Sequence, residues 1–246
     1  MPEEFAYMFS LLARPFGYIL QFLYSIIGQY GVSIAIFSAV IRLAMYPLYR
    51  SQIVNQAGMA EFTTKSKEIQ QKYADDKEMM NEKLAELQRE SGYNPTSGCL
   101  PIFIQMFIIS GLFMLLRYPL NYYQDESMVF AVHESFLWIK DLSQPDPWIL
   151  PILSGVATFI SFTLTGGASV AAATGQTSNS MTNIMKFVFP VMIMWLAHSY
   201  PAGIAIYWFI SQVAQIFFNL RFNVLRRDLA AKKEVEEEMK KKSKKK

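Results

Sequence analysis

Apolar residues in this chain come in long runs and charged residues in blocks, with little interleaving. A helix that crosses a hydrocarbon core of roughly 30 Å needs about 20 mostly apolar residues. Runs approaching that length occupy Gly31–Leu48, Gly98–Leu116, Trp148–Leu164, Ile184–Ala197 and Gly203–Leu220. The pattern predicts an all-α polytopic membrane protein with five spans, several of them short enough to thin the bilayer locally. Phe5–Ile27 is different, because Arg14, Tyr18, Gln21 and Ser25 recur on one stripe at helical spacing. That stripe predicts an amphipathic helix lying in the membrane interface. Pro15 would kink it or divide it into two short pieces. The alternative is a sixth span with Arg14 in its middle.

Between Ser51 and Ser97 the character inverts, and no stretch there is fit to enter lipid. Phe62, Ile69 and Tyr73 step by seven and four, while Met80, Leu84 and Leu87 step by four and three. Ala74-Asp75-Asp76 separates the two sets, so the spacing predicts two amphipathic helices in a hairpin, ended by Asn94-Pro95. Thr165–Asn183 is small, polar and uncharged, and predicts a flexible loop. From Arg221 the chain is a basic tail.

Charge distribution sets the topology. The whole chain carries only +3, but eleven of its 23 Lys and Arg lie after Asn219. Seven more run from Arg50 through the hairpin, against two between Arg117 and Pro147. Short Lys- and Arg-rich segments stay cytoplasmic. The resulting organisation is an interfacial helix at 1–29, a first span at 30–50, a cytoplasmic hairpin at 51–97 and a second span at 98–117. An extracellular loop at 118–147 follows, then three spans within 148–220 around a cytoplasmic loop at 165–183, and a cytoplasmic tail at 221–246. The N-terminus is expected outside.

Enzyme chemistry finds little support. No G-x-x-x-x-G-K-[ST] phosphate loop and no H-E-x-x-H zinc motif occurs, and Cys99, His133 and His198 are too scattered for a metal site. No cofactor or metal is expected, and a single cysteine excludes an intrachain disulfide. The N-terminus carries Glu3 and Glu4 where a secretory signal carries positive charge, so it is expected to be retained. One catalytic reading stays open, an intramembrane serine protease that pairs Ser154 with His198. Against it, Ile152 stands where a nucleophile elbow requires glycine. A small-solute transporter is a third reading, disfavoured by the lack of a convincing internal repeat.

Arg42 differs in kind from these. It interrupts the first apolar run eight residues before Arg50, about 12 Å along a helix. An arginine at such depth costs from about 2.5 to above 10 kcal/mol unless it finds water, a partner or the interface. No acid lies within any run to pair with it. Either the side chain snorkels to the cytoplasmic surface or it faces a wet recess, which Ser38 and Gln105 are suited to line.

Five segments carry a family resemblance. IRLAMYPLYRSQI, the charged hairpin with QQKY, GYNPTSGCLPIFIQMF, FLWIKDLSQPDPWILPIL and FPVMIMWLAHSYPAGIAIYWFISQVAQI stand in order and together resemble the YidC/Oxa1/Alb3 membrane protein insertases. The likeness spans Tyr30 to Asn219 and implies a short bacterial five-span insertase. It further implies a hydrophilic groove open to the cytoplasm and to lipid, holding the single positive charge of Arg42 with Gln105 and Trp208 beside it. Nascent membrane-protein substrates and the bilayer are the implied partners. The hairpin and tail are implied to meet the Sec translocon and the ribosome, with ribosomal RNA contact by the tail. Phe107 stands where the family commonly has proline, which affects only the bend of the second span. The lipidated cysteine of many short members is absent, so no lipid anchor is expected.

Overall fold

The computed structural model describes residues 3–91, 96–123, 125–165 and 179–221. The break expected at Asn94-Pro95, residues 166–178 of the small polar loop and the basic tail beyond Arg221 lie outside the described residues. In chain order the helices are α1 (Glu3–Ile27), α2 (Tyr30–Ala44), α3 (Tyr46–Lys72), α4 (Lys77–Ser91), α5 (Thr96–Arg117), α6 (Pro119–Tyr122), α7 (Glu126–Ala131), α8 (Ile149–Thr165), α9 (Asn179–Ser199) and α10 (Ala202–Arg221). Among the described residues there is no strand, only a bridge between Phe136 and Ile139. The fold is all-helical.

Helix α10 is long and apolar enough to cross a membrane, and α2, α5, α8 and α9 contribute shorter apolar stretches. Pro15 does not divide α1, which runs unbroken for 25 residues. Proline is tolerated there because α1 packs along α5 and α2, burying Ala13, Phe16 and Leu20, and packing offsets the lost backbone bond. The contact is close: a Cβ on Gly111 of α5 would stand 2.8 Å from the Phe16 ring. Gly28 then leaves α1 at φ +70, a left-handed conformation that only glycine adopts without steric cost.

The first apolar run ends earlier than its composition implied. Helix α2 stops at Ala44, and α3 starts at Tyr46 with Pro47 in its first turn. Pro47 has no N–H to give to Leu43, so the helical ladder is interrupted at Met45. The fourth run is longer than expected, because α9 already begins at Asn179.

Away from the bundle, α3 and α4 pack as a pair, burying Leu87 and half-burying Phe62, Ile69, Tyr73, Met80 and Leu84. Asp76 opens α4 by accepting the Met79 amide at 3.0 Å. At the opposite end of the bundle, residues 118–123 and 125–148 fold over the helix ends. Glu134 accepts the Tyr24 hydroxyl and, at 2.8 Å, the first amide of α2. Gln144 and Leu142 carbonyls receive the first two amides of α10, from Ala202 and Gly203, at 2.8 and 3.1 Å. Asp146 accepts the Leu150 amide at 2.7 Å and the Trp138 indole at 3.1 Å. Helix N-termini leave orphan amides, and this acidic loop supplies their acceptors.

Candidate functional site

Arg42 occupies the last turn of α2 and is only 5% exposed. Its Nη2 donates to Gln105 Oε1 of α5 at 3.1 Å, and its guanidinium carbon lies 5.4 Å from the centre of the Tyr49 ring of α3. Tyr207 of α10 approaches from a fourth element and feels the charge of Arg42. No carboxylate meets Arg42 among the described residues. The compensation is one amide oxygen, one aromatic face and the carbonyl end of α2. Among the described residues its Nε has no hydrogen-bond partner, nor does Gln105 Nε2.

The unmet demand continues down α10. The Tyr207 hydroxyl, Ser211 Oγ, Gln215 Oε1 and Asn219 Nδ2 are all buried atoms that lack a well-aligned partner among the described residues. Tyr207, Ser211 and Asn219 are fully buried residues. The hydroxyl of Tyr207 comes near Ser211 and Gln105 without completing a good bond to either. Gln215 Nε2 donates weakly to Asn219 Oδ1 at 3.4 Å. Natural proteins leave few buried polar atoms unpaired, at a cost of about 1–3 kcal/mol each. Of the six here, Arg42 Nε and Gln105 Nε2 lie on α2 and α5, and the other four follow one another at four-residue spacing along α10.

Of the sequence-derived candidates, Arg42 and Gln105 are brought into direct contact. Trp208 is not in that contact. Its indole donates to Thr158 Oγ1 of α8 at 3.0 Å and its ring lies 6.4 Å from that of Phe189. Neighbouring residues point about 100° apart on a helix, so Tyr207 meets Arg42 while Trp208 serves α8. Ser38 turns back onto its own helix, donating to Ile34 O at 2.6 Å. Tyr49, Tyr207 and Ser211 were not singled out from the sequence. The four-residue spacing of Tyr207, Ser211, Gln215 and Asn219 was the available signal.

The protease reading fails on geometry. Ser154 Oγ reaches the Ala205 carbonyl at 3.5 Å, and the exposed His198 engages Pro147 O through Nδ1 at 2.9 Å. Serine and histidine have separate partners and form no dyad. A second cluster, His133 with Asp141 and Ser143, resembles a triad only in composition. Both Asp141 and Ser143 meet the same ring nitrogen, at 3.1 and 3.0 Å, whereas a triad requires opposite nitrogens. Partial burial acts to raise the Asp141 carboxyl. The hydrogen bonds from Ser143 and His133 outweigh it and hold the group below its usual range.

An all-helical bundle with apolar helices and a buried cation that meets no acid among the described residues has the build of a membrane protein. Comparison with known proteins gives that class its family. Residues 22–227 match the family described as 60Kd inner membrane protein. Membrane protein insertase YidC of Fusobacterium nucleatum is 32% identical over 212 residues, covering 86% of this chain and 94% of that protein. The protein of the same name from Caldanaerobacter subterraneus is 35% identical over 209 residues, covering 84% and 91%. Against the longer YidC of Haemophilus influenzae, 31% identical, the chain spans 35% of its length. A crystal structure of an active YidC insertase shares the fold, with a TM-score of 0.54 at 24% identity, over 85% of this chain and 46% of that one. The chain belongs to the YidC/Oxa1/Alb3 family. It is a membrane protein insertase of the bacterial plasma membrane, delivering nascent membrane proteins into the bilayer, and not an enzyme.

Proposed function

We propose that insertion proceeds through a hydrophilic groove whose charge is Arg42, with Gln105 beside it and Trp208 forming the wall toward α8. The observation that carries this reading is the burial of Arg42 with Gln105 as its only hydrogen-bond partner among the described residues. A polar or acidic N-terminal tail of the substrate enters the groove and satisfies the guanidinium, which eases desolvation of the tail. The substrate's apolar helix then slides along the spans into lipid, driven by about 25 cal/mol per Å² of apolar surface removed from water. No nucleotide takes part.

In this reading α2, α5, α8, α9 and α10 are the five spans, and 118–147 closes the groove on the outside. Helix α1 lies in the outer interface, its exposed Tyr18, Phe22 and Ile26 facing lipid. The N-terminus is outside, whereas the hairpin at 51–97 and the tail at 221–246 are cytoplasmic, where lysines and arginines concentrate. The hairpin receives the emerging substrate. Together with the tail it offers cations to the ribosome and to a Sec translocon.

The test is insertion into vesicles that contain the purified chain. Arg42→Ala lowers insertion of a single-span substrate with an acidic tail by on the order of tenfold, equivalent to about 1.4 kcal/mol. Arg42→Lys retains part of the activity, because charge and not a bidentate fork is required. Normal insertion by Arg42→Ala would end the groove-charge mechanism.

A further inference from the structure

The unpaired polar atoms on α10 are regularly spaced. Tyr207, Ser211, Gln215 and Asn219 lie four residues apart, so each step rises about 6 Å and the set covers about 18 Å. An extended polypeptide presents the same main-chain edge every second residue, about 6.6–6.8 Å. The two repeats nearly coincide. Each four-residue step also turns about 40° past a full turn, so a chain following the track winds about a third of a turn around α10. The right-handed twist of extended strands accommodates such drift.

The geometry points to a second function for α10: a ladder that hydrogen-bonds the main chain of an extended substrate tail, two tail residues per rung. The inference rests on the groove reading and adds the conformation and the chemical group that are recognised. Hydroxyls and carboxamides both donate and accept, so each rung meets an N–H or a C=O without regard to side chain. Arg42, beside Tyr207 at one end of the ladder, adds attraction for carboxylates. Main-chain recognition lets neutral tails of unrelated sequence use the same path.

The ladder fixes a register that cross-linking can read. In a Cys99→Ser background, Ser211→Cys, Gln215→Cys and Asn219→Cys are made one at a time in the full chain and reconstituted in vesicles. Each is paired with a stalled single-span substrate carrying one cysteine at successive tail positions. The best-linked tail position moves by two residues from rung to rung. A move of about four residues means a helical tail and overturns the ladder. So does linkage without register, or no linkage while Arg42→Ala still impairs insertion, which leaves the groove-charge reading intact. No linkage together with normal insertion by Arg42→Ala overturns both. A second measurement leaves the insertase unaltered. N-methylating every other amide of the tail removes donors from one edge, and one of the two alternate sets lowers linkage about three- to tenfold while the other does not. Equal loss from both sets overturns the ladder.

Discussion

The guanidinium of Arg42 lies over the ring of Tyr49, 5.4 Å from its centroid, and Tyr49 is in turn held against Phe218 at 6.1 Å. The buried cation is thus covered from the α3 side by an aromatic side chain anchored on α10. Tyr49→Leu removes the π face and uncovers Arg42, whereas Tyr49→Phe keeps the ring. The loss is about 0.5–2 kcal/mol for the cation–π contact and about 0.5–1.5 for the ring pair. Thermal unfolding in detergent measures it. Equal melting temperatures for the leucine and phenylalanine variants would show that the ring face contributes nothing.

Asp146 is buried and serves two donors, the Leu150 amide and the Trp138 indole. Asp146→Ala leaves both unpaired and costs about 1–3 kcal/mol. Trp138 emission shifts to the red as its indole is released to water. An unchanged melt and an unchanged emission maximum together would contradict this role.

Asp141 sets an acid limit on the same loop. Its folded carboxyl lies below its usual range because Ser143 and His133 bind the charged form despite partial burial. A depressed folded value contributes stability above the unfolded value, about 3.9, and that stability is lost as pH falls through the folded one. The protection of the Ser143 amide, its exchange rate taken relative to the intrinsic rate at each pH, therefore falls on acidification below about pH 4. In Asp141→Asn the exchange is already fast at neutral pH, and the acid-induced step is absent.

Gly155 permits the close approach of α8 to α9, since a Cβ there would meet the side chain of Met194 and stand 3.4 Å from the Pro190 carbonyl. Gly155→Leu forces the helices apart and costs about 1–3 kcal/mol. Gly155→Ala costs less, because a methionine side chain can move away. Comparing the two melts checks this. A leucine variant as stable as the parent would mean that the helices are not in close contact.

Legibility in the sequence followed the range of the interaction. Arg42 was legible because a charge inside an apolar run is costly in itself, and Gln105 because a polar side chain inside another apolar run suits a wet recess. The apolar helices fell on the apolar runs, though not to their ends, because burial of continuous apolar surface decides both. Tyr49 was hidden: Pro47 and Arg50 read as the exit of a span, although a new helix begins there and its first turn sets the Tyr49 ring against Arg42. Tyr207 was passed over for Trp208 because two adjacent aromatics cannot be assigned to faces without knowing the neighbours of α10. The acids of the loop between α5 and α8 were countable, but their partners are remote. Glu134 binds Tyr24 and Tyr30, and no local pattern announces a tie across so many residues.

The interruption at Met45 makes α3 a mechanical arm. Its 27 residues extend about 40 Å from that pivot, while Tyr49 stands only about 6 Å from it. A rigid tilt about Met45 that moved the far end by 7 Å would shift the Tyr49 backbone by about 1 Å, scaled by the helical rise per residue. The break at Met45 would thus gear a large displacement of α3 down to a fine one beside Arg42.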